Sequence, residues 1–126
     1  MSPRSRMGEL EQAVLEALWD LDAGSGERSG ASGREVHERL SGRDLAYTTV
    51  MTVLDRLVAK DVVVRERDGR AYRYAPRQSR AAMTAGLMHE ALGETGSDRD
   101  QALVSFVGEA SAEDLAALRR ALADLA

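Results

Sequence analysis

Leu45–Pro76 reads LAYTTVMTVLDRLVAKDVVVRERDGRAYRYAP, and it joins two different local signals. The β-branched run from Thr48 to Val53 resembles a strand. However, Tyr47, Val50, Leu54, Leu57 and Val58 recur at helical spacing, and the run continues through DRLVAK, a good helix and a poor strand. The spacing therefore predicts a helix over Ala46–Lys60, with Thr48, Thr49, Thr52 and Arg56 on the face opposite its apolar stripe. Val62 to Ala75 predicts a hairpin around Asp68-Gly69, a pair suited to the positive φ angles of a type I′ turn. A two-residue turn there sets Arg67 against Arg70, Arg65 against Tyr72 and Val63 against Tyr74, with arginines at the tip. Pro76 ends the second strand.

Upstream, Leu10, Val14, Leu18 and Leu21 mark an amphipathic first helix, preceded by a polar arm at residues 1–6. Ala23 to Gly33 (AGSGERSGASG) reads as a flexible loop. Its glycines lack the preceding strand and following Gly-Lys-Ser/Thr of a phosphate-binding loop. Ser32 caps a second helix through Leu40, with Glu35 as its capping-box partner, and Ser41–Asp44 turns the chain. Beyond Pro76, Ser79, Ser97 or Asp98, and Ser111 each start a further helix, the last with Leu115, Leu118, Leu122 and Leu125 as a narrow apolar seam.

The formal charge of −4 conceals an asymmetry. Residues 56–80 carry eight basic and three acidic groups, between flanks of net −4 and −5. Such a block is a footprint for a polyanion or a solvated basic surface. Its position, at the end of the third helix and on the hairpin, favours the first reading. Three helices and a hairpin, the third helix polar outside, is the order of a winged helix-turn-helix, whose third helix enters the major groove while the wing reaches the backbone. The expected architecture is mostly α with a small β-hairpin wing: a DNA-binding domain over 7–77 and a three-helix dimerisation region over 78–126.

Composition excludes other chemistry. There is no cysteine, hence no disulfide, thiol nucleophile or thiolate metal site, and His37 and His89 are the only imidazoles. The two histidines fall on separate helices and no acid pair has a recognisable cleft, so neither enzyme activity nor a cofactor is expected. No apolar run approaches the ~20 residues of a membrane span, and the N-terminal stretch lacks a signal-peptide core. The expectation is a cytoplasmic protein without membrane insertion.

The stretches Gly8–Asp20, Arg34–Leu40, Leu45–Pro76 and Ala102–Leu122 resemble the penicillinase-repressor family (BlaI/MecI/CopY), over about Met7 to Leu125. The AYTTVMTVLDRL block joined to a Gly-Arg wing and a Tyr-x-Pro ending is the specific part. The resemblance implies a bacterial homodimeric repressor on an inverted-repeat operator in double-stranded DNA. It also implies antibiotic-resistance (β-lactam response) genes as targets, and release by a membrane sensor-protease system that triggers cleavage in the C-terminal region. The position matching the family's Asn-Phe cleavage pair is Ser105-Phe106, so the asparagine is missing. The copper-sensing branch needs C-terminal cysteines that this chain lacks.

Thr48, Thr49, Thr52 and Arg56 are the expected groove-facing residues, because hydroxyls and guanidinium bond base edges or phosphates and threonine methyls meet thymine methyls. Arg70 is the expected wing contact, with Arg43, Lys60, Arg65, Arg67 and Arg73 as phosphate partners. Met83, Leu87, Phe106, Leu115, Leu118, Leu122 and Leu125 are the expected dimer contacts, although periodicity alone also allows intrachain core. His37 is expected to be exposed. Two alternatives stay open: a ligand-responsive winged-helix regulator of another type, and a winged helix used for protein–protein docking, which would favour exposed apolar anchors on the threonine face.

Overall fold

The computed structural model describes residues 8–24 and 30–126. The expected N-terminal arm and the middle of the Ala23–Gly33 segment lie outside the described residues. In chain order the elements are α1 (Glu9–Gly24), β1 (Ala31–Ser32), α2 (Gly33–Arg39), α3 (Tyr47–Ala59), β2 (Val63–Asp68), β3 (Ala71–Pro76), α4 (Arg80–Gly93), α5 (Arg99–Glu109) and α6 (Ala112–Leu125). Two compact units result, Met1–Leu87 and Met88–Ala126.

The first unit is a winged helix. Val14, Leu15 and Leu18 of α1 pack with Val36 of α2 and Val50, Val53, Leu54 and Leu57 of α3, and Val63 and Tyr74 close the core from the sheet. Each such side chain is essentially solvent-free, and burial of a Val or Leu contributes about 1.5–3 kcal/mol. The Ser32 capping box forms as expected: Ser32 Oγ accepts from Glu35 N at 3.1 Å, and Glu35 Oε1 accepts from Ser32 N at 3.0 Å. At the end of α3, Asp61 takes the left-handed conformation (φ 65°). Val62 N then donates to Leu57 O and Asp61 N to Val58 O, the bond pair of a Schellman cap.

The structure corrects the sequence reading in several places. Ala31 and Ser32, expected in a loop, pair with Tyr74 and Arg73 of β3, so the sheet has three strands in the order β1-β3-β2. Gly30 makes this possible, because its φ is +83° and a Cβ there would lie 3.2 Å from the Tyr74 carbonyl oxygen. The hairpin register is two residues later than expected. Asp68 pairs with Ala71, Arg67 with Tyr72 and Arg65 with Tyr74, leaving Gly69-Arg70 as the turn. Only Gly69 takes a positive φ there, 65°, which matches the φ signs of a type II′ turn and frees Asp68 to continue the strand.

Tyr47, placed on the apolar stripe by spacing, is 46% exposed at the first position of α3, where it lines an open cleft instead of the core. His37 is half-buried rather than exposed, its Nε2 donating to Leu45 O at 2.6 Å and its ring set edge-on against Tyr47. The first unit also reaches past residue 77, where the DNA-binding domain was expected to end. Trp19 Nε1 donates to Gln78 O at 2.9 Å, Arg80 lies over the Trp19 ring and binds Glu16, and Met83 is in the core. Met83 therefore fills the winged helix and does not stand on a free helical face.

The second unit holds the end of α4, a turn at Gly96–Asp98, and α5 and α6. Ser111 caps α6 by accepting from Asp114 N at 3.0 Å. No residue of α5 or α6 is buried, and Leu103, Val104, Phe106, Val107, Leu118, Leu122 and Leu125 are exposed. An apolar groove of about 390 Å³ runs between Met88, Leu92, Leu103, Phe106 and Leu118. Among the described residues no helix is long and apolar enough to cross a membrane.

Candidate nucleic-acid interface

The outward face of α3 follows from its inward one. With Val50, Val53, Leu54 and Leu57 fixed in the core, the 3.6-residue period turns Thr48, Thr52 and Arg56 to solvent and leaves Thr49 half-exposed. Thr52 Oγ1 donates to Thr48 O at 2.9 Å. Its proton is thereby committed to the helix, leaving the methyl group and the oxygen lone pairs to an incoming partner. Ala46, the N-cap of α3, contributes no side-chain bond to the first-turn amides. That end of the helix keeps its partial positive charge available.

Across the fold, most of the basic block is neutralised by acids distant in sequence. Lys60 Nζ donates to Glu11 at 2.6 Å, Arg77 to Asp61 at 2.6 Å, and Arg80 reaches both Glu16 and Asp20. Arg43 lies 3.5 Å from Glu9, and Arg65 3.6 Å from Asp55. Arg73 is the least exposed of these basic side chains at 17%, donating to Gly30 O at 2.5 Å and lying 3.5 Å from Glu35. Apart from those of Arg73, these exposed pairs contribute little to stability individually, but they remove charge from the potential facing a polyanion.

The guanidiniums without an acidic partner among the described residues are more telling. Arg56 stands on the outward face of α3. Arg67 and Arg70 stand at the end of the wing, where Arg67 Nε donates to Gly69 O at 3.3 Å and lies 5.8 Å from the centre of the Tyr72 ring. Arg65 covers the same ring at 4.4 Å. Arg34, which sequence reading overlooked, is also exposed and unpaired among the described residues, at the start of α2. Its isolation inside an acidic flank hid it, since a segment-wise charge sum counts it together with distant acids.

The structure thus brings Thr48, Thr49, Thr52 and Arg56 together on one helix face, and Arg65, Arg67 and Arg70 together on the wing. Arg43, Lys60 and Arg73 are held elsewhere by their partners. Three titratable groups in the unit are perturbed, among them Arg80, whose guanidinium is raised above its ordinary value chiefly by the hydrogen bond to Glu16. Burial, helped by the Asp55 carboxylate, pushes the Tyr74 hydroxyl above its usual range. The hydrogen bond from Arg39, followed by the charges of Arg39 and Arg80, holds the Asp20 carboxyl below the usual carboxylate value.

Comparison with known proteins agrees with this geometry. The family model for the penicillinase repressor matches residues 7–124. The transcriptional regulator BlaI of Mycobacterium tuberculosis is 48% identical over 128 aligned positions, covering 99% of this chain and 88% of that protein. Among solved structures, a mutant of the Staphylococcus aureus regulator MepR bound to an oligodeoxyribonucleotide aligns with a TM-score of 0.52 at 14% identity, over 97% of this chain and 79% of that one. Bordetella bronchiseptica BpsR aligns with a TM-score of 0.50 at 19% identity, over 98% and 82%. At those identities the two structures speak for the winged-helix fold alone. The residue match is of another order, and by it this chain belongs to the penicillinase repressor family, as a winged-helix transcriptional repressor and not an enzyme.

Proposed function

We propose that the protein represses transcription as a homodimer on an inverted-repeat operator, with α3 in the major groove and the wing on the flanking backbone. The observation that carries this reading is the contrast in charge. The core-opposed face of α3 and the wing tip keep their cations unpaired among the described residues, while other basic side chains of the unit are matched by acids. Thr48, Thr49 and Thr52 supply the short polar side chains that base edges accept, and Arg56 supplies a fork for guanine or phosphate. No large apolar side chain stands on that face to anchor a protein partner. A cytoplasmic protein whose partner is double-stranded DNA fits these properties.

Dimerisation through the second unit is supported by its lack of any buried residue in α5 and α6 and by the apolar groove lined with Leu103, Phe106 and Leu118. A single copy leaves that surface in water, which a second copy would cover. The M. tuberculosis relative is a transcriptional regulator named BlaI, which favours β-lactam response genes as the targets. Induction through a membrane sensor-protease system would cut near Ser105-Phe106. That bond lies within α5 and is reached only when the helix opens. In this reading dimerisation protects the bond.

Footprinting of the protein on its own upstream promoter region tests the proposal. The expected result is a pair of protected half-sites related by two-fold symmetry, their centres a whole number of helical turns apart. A single asymmetric footprint, or sedimentation as a monomer at the same concentration, would contradict it.

A further inference from the structure

A cleft of about 480 Å³ opens between the start of α2, the first turns of α3 and the wing. Arg34 lines it from α2, Tyr47 and Met51 from α3, and Arg70 and Tyr72 from the wing. No acidic residue is among its lining side chains. Neither Arg34 nor Arg70 has a hydrogen bond or ion pair among the described residues, although most basic side chains of this unit do. Two uncompensated guanidiniums sharing one opening, beside a half-exposed phenol, form a site for an anion with several acceptor oxygens. The anion that α3 itself would bring to this place is the DNA backbone, because a helix seated in the major groove is walled by phosphates.

We propose that Arg34 and Arg70 hold one and the same backbone phosphate of the operator over this cleft, with the Tyr47 hydroxyl as a further donor. The proposal rests on the reading of the protein as a DNA-binding repressor. It adds that α2 and the wing clamp a single strand from two sides, which fixes the register in which α3 meets the bases. Arg34 thereby becomes a DNA contact outside both the third helix and the basic block.

The test uses the full chain on its promoter duplex, with single phosphates neutralised in turn as methylphosphonates, beside a shuffled duplex. The expected result is one linkage per half-site whose neutralisation weakens the wild type about tenfold, or about 1.4 kcal/mol. Arg34→Ala and Arg70→Ala each weaken binding by a similar factor and lower the salt slope by about one. Neither variant loses anything further at that linkage, the double variant loses less than the product of the two factors, and Arg34→Lys recovers part of the loss. Unchanged thermal unfolding of the variants shows that the fold is intact.

Full affinity in Arg34→Ala, or different sensitive linkages for the two arginines, overturns the shared clamp while leaving DNA binding standing. Equal weak binding of the wild type to promoter and shuffled duplex removes the reading beneath it as well. Binding of inorganic phosphate that depends on Arg34 and Arg70, with DNA affinity untouched by either substitution, assigns the cleft to a free anion and also overturns the proposal.

Discussion

The guanidinium of Arg73 donates to the main-chain oxygen of Gly30 at 2.5 Å, tying the central strand of the sheet to the segment that enters β1. The same side chain lies 3.5 Å from Glu35, the residue that completes the capping box of α2. One arginine from the basic block therefore fastens the third strand and the start of the second helix.

Arg73→Ala accordingly acts on stability. A hydrogen bond from a charged donor to a partly buried carbonyl contributes about 1.5–3 kcal/mol, and the denaturation midpoint is expected to fall by a corresponding amount. The salt dependence of DNA binding per folded molecule stays as in the wild type. A lower salt slope with an unchanged midpoint would instead make Arg73 a phosphate contact.

Thr49→Ala is expected to weaken binding to the promoter by about ten- to a hundredfold, in line with the 1–3 kcal/mol attached to a good base contact. Binding to random duplex should hardly change. At Thr52, whose proton is already given to Thr48 O, Thr52→Val keeps the methyl and should retain most of the affinity. Titrations on matched and shuffled duplexes check both, and equal losses on the two would argue against base reading.

Tyr74 makes the winged helix sensitive to alkali. Its hydroxyl titrates higher in the folded chain than in the unfolded one, because burial disfavours the phenolate. The stabilisation is complete below the unfolded value of about 10 and is lost as pH rises through the folded value. Tyr74→Phe should flatten stability above pH ~10, measured by urea unfolding across that range. For Asp20 the sign is opposite. Its lowered value supports the fold at neutral pH and the support fades as pH falls through it, so Asp20→Asn should flatten the acid limb.

Truncation after Gly93 removes α5 and α6, whose apolar side chains have no buried position within a single copy. The shortened chain should sediment as a monomer and lose tight promoter binding while keeping a cooperative melting transition from the winged-helix core. A truncated chain that remains dimeric would move the interface elsewhere.

Much of this architecture is written in local pattern. Ser32 with Glu35, Ser79, and Ser111 with Asp114 announce helix starts, and the periodicity of Val50, Leu54 and Leu57 outweighs the β-branched character of α3. β1 escapes such reading because two residues in a Gly/Ser-rich run become a strand only through bonds to Tyr74 and Arg73 more than forty positions away. The hairpin slips by two residues because Asp-Gly fits a type I′ turn while Gly-Arg fits type II′, and burial of Val63 and Tyr74 on one face suits both registers. The basic block was legible as charge but not as availability. Pairs such as Lys60 with Glu11 and Arg80 with Glu16 join residues 49 and 64 positions apart, and only the fold reveals which cations they leave free.

The central claim is sequence-specific DNA recognition by α3 and the wing, and fluorescence anisotropy on the promoter duplex and a shuffled duplex across a salt series addresses it most directly. The account predicts binding to the promoter about a thousandfold tighter than to the shuffled duplex, with a steep negative salt slope on both. Equal, weak and salt-insensitive binding to the two duplexes would contradict it.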